Sequence, residues 1–346
     1  MPETVSPTDI TEIAEILEDR KSKTQRIAVI LGSRAGALFR SGNFYDELKL
    51  YSTRNFADMD ERSRFYECHA ILEDICRRRS MSIKELRSFI EEQIYTHCDV
   101  ENHLAELVKD DFFRVIITNN IDDVLYESFK AVGMREKVDF VDCSLGVLSC
   151  ADNIELILSQ RKINICRLIR MAGDVGTFIG HLNRPQAKKA AGECVRRLLE
   201  QLRIRELLVI GIDLAWDQAI LSALPSSLET VWFINEDDHV RDEFIEKCGN
   251  IKKFHYIVGP RGQCQSFFKL LYWNINPSIT GYNKLIEDVR NDIHNMRIDL
   301  NHIKKRSEET NADIKHIKLQ QAKLESIAPL VEGIFESITH LVEKDF

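Results

Sequence analysis

The stretch that decides the fold is Arg114-Val115-Ile116-Ile117-Thr118-Asn119-Asn120-Ile121-Asp122. Its first half is apolar and β-branched, which favours a buried strand. Its second half is a turn that presents amides and a carboxylate. Open α/β sheets bind their ligands outside the carboxyl ends of the strands. The stretch therefore predicts a strand of such a sheet and a functional site at the end of that strand.

Short apolar runs of the same kind recur along the chain, and helical patterns lie between several of them, most clearly over residues 187–202. Strands that alternate with helices favour a Rossmann-like, doubly wound α/β fold with a mostly parallel sheet. The strand-like runs cover residues 26–31, 114–118, 138–141, 163–169, 207–211, 231–234 and 254–258.

The hydrophobic pattern divides the chain into three parts. Residues 1–25 predict an N-terminal helix, and residues 26–278 contain the α/β domain with a helical insertion over about 44–110. Residues 279–346 carry apolar side chains at heptad spacing, which favours an all-α coiled-coil arm for oligomerisation or partner docking. The middle of the heptad pattern is weak, so helices that fold back on the domain are the alternative.

The composition limits the classes of function. The chain has 346 residues and a formal net charge of −8, which argues against a dedicated nucleic-acid-binding protein. No apolar run approaches the roughly 18 residues that span a bilayer, and the polar N-terminus is unlike a signal peptide. A cytoplasmic protein without membrane contact is expected. The nine cysteines are scattered and include no Cys-x-x-Cys pair, which predicts neither a disulfide framework nor a structural zinc site.

A turn of small residues, Gly32-Ser33-Arg34-Ala35-Gly36, follows the first apolar run of the predicted domain. Such a turn lets backbone N–H groups approach a pyrophosphate. The pattern Gly-x-x-x-Gly after a strand is also common without any ligand. The Arg34 guanidinium either contacts a phosphate directly or is a surface cation.

Two later strands also end in polar loops. One runs into Gly211 and then into a loop with Asp213 and Asp217, where Gly211 allows close approach of a ligand to the backbone. The other ends at Asn235. The alternative is structural: Asp217 caps the next helix, and Asn235 makes an ordinary turn.

These strand-end segments, taken in order, resemble those of sirtuin-like NAD-cleaving domains. Thr118, Asn120 and Asp122 match the family's Thr-x-Asn-x-Asp signature, and the turn after Gly32 is an imperfect match to its Gly-Ala-Gly-x-Ser turn. The loop after Gly211 resembles the bacterial Gly-x-Ser-x-x-Asp loop, with an Asp where the Ser usually stands.

The four-cysteine zinc module that deacylating sirtuins share is missing from this sequence. The resemblance is therefore to the sirtuin-like NAD-hydrolase effectors of bacterial antiphage defence, and it covers about residues 24–275. It implies a sirtuin-like fold and hydrolysis of NAD+ to nicotinamide and ADP-ribose, without a metal.

The resemblance also implies roles for individual residues. Asn120 and Asp122 are implied to form the nicotinamide–ribose pocket, although Asn and Asp at strand ends commonly bond their own backbone instead. The residues implied to bind the dinucleotide are Gly32, Ser33, Arg34, Gly36, Thr118, Gly173, Gly211, Asp217 and Asn235.

The family's second signature, His-Gly-Asp, reads Ala172-Gly173-Asp174 here. The implied role of the His is general base. Because a methyl group accepts no proton, a factor of about 10² to 10⁴ in rate is expected to be lost. The intact flanking residues favour an introduced, inactivating substitution. The alternative is a native, catalytically inactive chain that acts as an NAD or ADP-ribose sensor or as a structural subunit of a defence complex.

Uncontrolled hydrolysis of NAD+ would kill the host cell, so the resemblance implies that the activity is gated and that its release arrests growth. The predicted arm at 279–346 indicates gating through a homo-oligomer, through a partner protein of the same system, or through both. A nucleotide-processing enzyme and a translocase ATPase are the partner classes that related systems imply.

Overall fold

The structure is a computed structural model of the chain, and it separates into two compact units, Met1–Asn276 and Pro277–Phe346. The stretches that it describes are residues 2–23, 27–37, 99–120, 122–145, 165–171, 185–214, 217–248 and 251–277, together with isolated positions elsewhere.

One parallel sheet organises the first unit. It contains eight strands in the spatial order β1-β8-β7-β6-β2-β3-β5-β4, and every neighbouring pair is parallel. The strands are β1 (Thr4–Pro7), β2 (Ile27–Leu31), β3 (Val115–Thr118), β4 (Phe140–Ser144), β5 (Cys166–Arg170), β6 (Glu206–Ile210), β7 (Thr230–Ile234) and β8 (Lys253–Ile257).

Seven α-helices with described bounds accompany these strands. They are α1 (Ile10–Ser22), α2 (Asp99–Lys109), α3 (Val124–Ala131), α4 (Pro185–Gln201), α5 (Gln218–Ala223), α6 (Asp238–Lys247) and α7 (Cys264–Ile275). In the part of the chain that the structure describes, no helix is long and apolar enough to cross a membrane.

Helices cover both faces of the sheet, as the alternation of buried side chains along β2 illustrates. Ile27, Val29 and Leu31 belong to a core shared with α1, α2, α3 and α7. Ala28 and Ile30 point to the opposite face, into a core shared with α4, α5 and α6. Successive strand residues face opposite sides, so a strand buried on both sides reads as a continuous apolar run. The predicted doubly wound α/β fold is confirmed.

The order of the strands creates a switch point between β2 and β6. From β2 the chain continues to β3 on one side, whereas β6 and its successors β7 and β8 extend the sheet on the other side. The helices change face at the same place, because α1 to α3 lie in the first core and α4 to α6 in the second. The loops that leave β2 and β6 therefore lead to opposite faces of the sheet, and doubly wound folds bind ligands at such a point of the carboxyl edge.

One strand begins later than the sequence predicts because of a turn, and one edge strand was not predicted. The run at 138–141 was predicted as strand, but β4 begins only at Phe140, because a turn precedes it. Lys137 has a φ of 64°, and the carboxylate of Asp139 accepts the Arg135 N–H at 2.8 Å. The edge strand β1 was not predicted; it is short and mostly exposed, so it lacks the apolar pattern of the others.

The predicted coiled-coil arm at 279–346 lies almost entirely outside the described residues. The helical insertion predicted over about 44–110 is also described only in part. Its final segment forms α2, which packs in the first core through side chains that include Leu104 and Leu107.

Candidate functional site

Backbone hydrogen bonds continue the sheet beyond its carboxyl edge. The first residue after a strand donates its N–H to the last residue of the neighbouring strand, which fixes the start of each loop against the next. These bonds are Gly32 to Ile210 (2.8 Å), Gly211 to Ile234 (3.0 Å), Asn235 to Ile257 (3.0 Å), Asn119 to Leu31 (3.2 Å) and Met171 to Thr118 (2.8 Å).

The two glycines at the switch point allow the loops after β2 and β6 to interlock. A Cβ atom on Gly32 would lie 2.4 Å from the carbonyl oxygen of Gly211. Gly211 has a φ of +62°, and a Cβ atom there would lie 2.7 Å from the Ala35 backbone nitrogen. Both positions exclude a side chain. The sequence pattern indicates that Gly211 allows a ligand to approach the backbone. In the structure, Gly32 and Gly211 allow one loop to approach the other.

Asp217 is fully buried and joins three loops. Its Oδ2 accepts the backbone N–H and the hydroxyl of Ser33, both at 2.9 Å, and the N–H of Asp213 at 2.8 Å. Its Oδ1 accepts the Asn119 side-chain amide at 2.9 Å. Asp217 stands at the start of α5, but its side chain makes no capping bond there. Its carboxylate instead links the loops that follow β2, β3 and β6.

The burial of Asp217 alters its titration. Desolvation raises the pKa of this carboxyl to about 6, against the opposing effect of the hydrogen bonds that it accepts. A carboxylate surrounded by four donor contacts is costly to remove, because each donor would then be buried without a partner. Asp217 therefore acts as a structural element of the site, and a contact with a dinucleotide stays a prediction.

Asn119 is a site residue that the sequence analysis did not single out. Its amide connects β3 to Asp217, whereas Asn120 in the signature points elsewhere. The sequence signal for it was the second amide beside Asn120, directly after the strand Val115–Thr118.

Asn120 follows β3 and lies against the turn after β2. It is 9% exposed, and its backbone N–H donates to the Thr118 hydroxyl at 3.0 Å. A Cβ atom on Gly36 would lie 2.6 Å from the Asn120 Oδ1, so the glycine makes room for this amide. Within the described part of the chain, Oδ1 has no hydrogen-bond partner. A buried amide oxygen normally has one, so this atom can accept a bond from a bound molecule.

Asp122 is partly exposed and lies two residues further along the same loop. Its Oδ1 accepts the Val124 N–H at 3.3 Å at the start of α3, so the bond to its own backbone that the sequence left as an alternative is present. Its backbone carbonyl accepts an N–H of the Arg170 guanidinium at 3.4 Å. One end of this loop is thus held by a side chain from β5.

Arg34 is not a surface cation, since its side chain is only 10% exposed. Its Nε donates to Asp213 at 3.2 Å, and another guanidinium nitrogen donates to Glu236 at 2.9 Å. Burial by itself would lower the pKa of Arg34, but the attraction of Asp213 and Glu236 outweighs burial and raises it. The guanidinium ties the turn after β2 to the loops after β6 and β7.

Asn235 is fully buried, and its amide is used within the protein. The side-chain N–H donates to the Ile212 carbonyl at 2.8 Å, and Oδ1 accepts the Asp237 N–H at 3.1 Å. A Cβ atom on Gly262 would lie 2.0 Å from the Asn235 carbonyl oxygen, which packs the loop after β8 against it. The contact of Asn235 with the dinucleotide, which the resemblance implies, stays a prediction that these bonds do not test.

The predicted site residues Ala172 and Gly173 lie outside the described residues. The described segment ends at Met171, which is buried and bonded to β3.

The structure brings together, at one edge of the sheet, the turn after β2, the residues Asn119, Asn120 and Asp122, and the described residues of the loops after β6 and β7. In the described part of the chain, no group of three or more His, Cys, Asp and Glu side chains is arranged to hold a metal ion.

Comparison with known proteins gives likenesses to solved structures alone. No family model and no curated protein sequence matches the chain. The chain is similar to a solved structure described as "Structural Basis for the Mechanism and Regulation of Sir2 Enzymes", with 14% sequence identity and a TM-score of 0.33. The match covers 78% of this chain and 98% of the other. A likeness at this level assigns neither an activity nor site residues.

Proposed function

We propose that the chain binds NAD+ at the carboxyl edge of its sheet and belongs to the class of enzymes that hydrolyse NAD+ to nicotinamide and ADP-ribose. The observation that carries the proposal is the Asn120 amide, whose oxygen is buried without a hydrogen-bond partner among the described residues. This amide lies against Gly36 in the turn after β2. It therefore adjoins the switch point where doubly wound folds bind dinucleotides.

The chemistry requires little acid catalysis, because nicotinamide leaves as a neutral molecule. The C1′–N bond of the nicotinamide ribose breaks, a water oxygen bonds to C1′, and one proton is released. A site that promotes this reaction has to stabilise an oxocarbenium-like ribose and position the water. We assign the positioning of the water to the Asn120 oxygen and the orientation of the nicotinamide ribose to Asp122.

Arg34 receives a different role from the one that the sequence left open. Two carboxylates, Asp213 and Glu236, neutralise its charge. A phosphate at the guanidinium would have to compete with both. We therefore assign to Arg34 the ordering of the turn after β2, whose backbone N–H groups from Gly32 to Gly36 all donate to acceptors within the protein.

A second candidate function is an NAD or ADP-ribose sensor without turnover, and Ala172 is the observation that favours it. The resemblance places the general base at this position, and a methyl group removes it. A structural subunit without affinity for dinucleotides is the remaining alternative. The three candidates differ in two measurable properties, the affinity for NAD+ and its turnover.

We further propose that the activity serves antiphage defence by NAD+ depletion, and that assembly or a partner protein gates it. This rests on the resemblance and on the heptad spacing of residues 279–346. Deletion of that segment is expected to change the oligomeric state and the regulation of the activity. If both stay unchanged, the gating proposal fails.

The experiment that tests the function compares the chain with Ala172→His. NAD+ consumption is followed by chromatography of nicotinamide and ADP-ribose, with candidate partner proteins present and absent. We expect the His form to hydrolyse NAD+ about 10² to 10⁴ times faster than the chain as it stands. Asn120→Ala in the His form is expected to abolish the gain. Binding without turnover in both forms would favour the sensor, and absence of binding would overturn the proposal.

A further inference from the structure

Arg170 is a buried cation at the carboxyl end of β5 that contacts the loop carrying Asp122 and Asp123. The residue is 3% exposed. Its Nε donates to Asp142 at 3.0 Å, and one terminal nitrogen forms an ion pair with Asp123. The same nitrogen donates to the backbone carbonyl of Asp122 at 3.4 Å. A buried charge is tolerated only when it is paired in this way.

The two carboxylates that Arg170 joins belong to elements of different kinds. Asp142 lies within β4, the strand paired with β5, so its position is set by the sheet. Asp123 and the Asp122 carbonyl lie in the loop that leads from Asn120 into α3. The guanidinium also lies over the Tyr126 ring in α3, with 5.8 Å between Cζ and the ring centroid. Arg170 thus fastens this loop to the sheet from the side of β5.

The electrostatics keep this connection intact at neutral pH. Burial would lower the pKa of Arg170, but the attraction of Asp142 and Asp123 outweighs it and raises that pKa. A planar guanidinium with separate N–H groups serves two carboxylates in fixed directions, whereas a lysine ammonium is a point charge on a flexible stem. The position therefore requires arginine for geometry as well as for charge.

We propose that Arg170 is a positioning residue that fixes the Asp122 loop relative to the Asn120 amide. The proposal rests on the proposed function, in which Asp122 orients the nicotinamide ribose. It predicts that loss of Arg170 weakens binding of the nicotinamide–ribose half of NAD+ and leaves binding of the adenosine diphosphate half unchanged.

Calorimetric titration of the full chain with NAD+ and, separately, with ADP tests the proposal. The variants are Arg170→Met, Arg170→Lys and Asp123→Asn, the last of which removes only the half-exposed partner in the loop. Arg20→Met is the matched control, because Arg20 pairs with Glu206 at the amino end of β6, away from the site. A charge-assisted hydrogen bond is worth about a tenfold change in an equilibrium constant.

We expect Arg170→Met and Asp123→Asn to raise the Kd for NAD+ about tenfold while the Kd for ADP stays the same. Arg170→Lys is expected to recover only part of the loss, and Arg20→Met to change neither constant. An unchanged Kd for NAD+, or an equal loss for both ligands, overturns the positioning role. If the unmodified chain binds neither ligand, the proposed function fails and the positioning role fails with it. If it binds both and only the variants depart from these expectations, the positioning role alone fails.

Discussion

On the β6 and β7 side of the carboxyl edge, Asp217 and Asn235 are fully buried and hydrogen-bonded to the protein, whereas on the β3 side the buried Asn120 amide has an oxygen without a partner among the described residues. Asp217 and Asn235 are 0% exposed, and the described hydrogen bonds engage both ends of each side chain. The Asn120 oxygen has no such bond among the described residues. The same edge thus combines a hydrogen-bonded frame, formed by Asp217 and Asn235, with one buried acceptor, the Asn120 oxygen, that has no partner among the described residues.

This difference teaches that polar residues at strand ends divide into those that build the site and those that face a ligand. A carboxylate that accepts several donors holds loops in place, and removing it leaves buried donors without partners. An unpaired buried acceptor costs stability instead of supplying it. Substitutions in the frame should therefore reduce folding stability, and substitutions at Asn120 should affect ligand binding.

The largest stability effect is expected for Asp217→Ala. The change leaves the donors of Ser33, Asn119 and Asp213 without their acceptor in a buried place. We expect the free energy of unfolding to fall by about 3 kcal/mol or more. Denaturant unfolding monitored by circular dichroism measures it. A loss below about 1 kcal/mol would mean that Asp217 is not part of a structural frame.

A smaller loss is expected for Gly211→Ala, with Gly133→Ala as a matched control. Both glycines have positive φ angles, +62° and +85°, but a Cβ atom meets nothing within 4 Å at Gly133. The control thus measures the backbone strain alone, about 1 kcal/mol. At Gly211 the contact of 2.7 Å with Ala35 adds to this strain, so we expect about 2–3 kcal/mol in thermal or denaturant unfolding. Equal losses at the two positions would contradict the interlocking of the loops.

A dependence of stability on pH is expected as well. Burial raises the pKa of Asp217 from 3.8 to about 6, so between these values the folded state binds more protons than the unfolded state. The stabilisation from protonation is therefore present below about pH 4 and is lost as the pH rises through about 6, at up to about 1.4 kcal/mol per pH unit. The unfolding free energy of the chain minus that of Asp217→Asn should therefore fall as the pH rises from about 4 to about 6. A difference that rises with pH would refute the shift.

Most strands of the sheet could be predicted from the sequence alone. Strands such as Ile27–Leu31 and Thr230–Ile234 are buried on both faces, and a short, continuous apolar run between helical segments is typical of strands in a parallel sheet. Their order along the chain, with helices between them, also predicted the doubly wound arrangement. The edge strand Thr4–Pro7 escaped prediction because exposure removes the apolar signal.

The division of labour within the site could not be predicted from the sequence. Asp217 and Asn235 look like ligand-binding residues because each follows a strand, and only the contacts between distant segments show that they bond neighbouring loops. The partners of Arg34 lie 179 and 202 residues away in the chain. Local pattern carries no information about such pairs.

The measurement that tests the central claim most directly compares Asn120→Ala with Asp217→Asn in two assays, the free energy of unfolding and the Kd for NAD+. We predict that Asn120→Ala weakens NAD+ binding about tenfold or more while stability changes by less than about 1 kcal/mol. Asp217→Asn should reduce stability more than Asn120→Ala does. If Asn120→Ala instead destabilises the fold and leaves the affinity for NAD+ unchanged, the Asn120 amide has a structural role and its assignment to ligand binding is wrong.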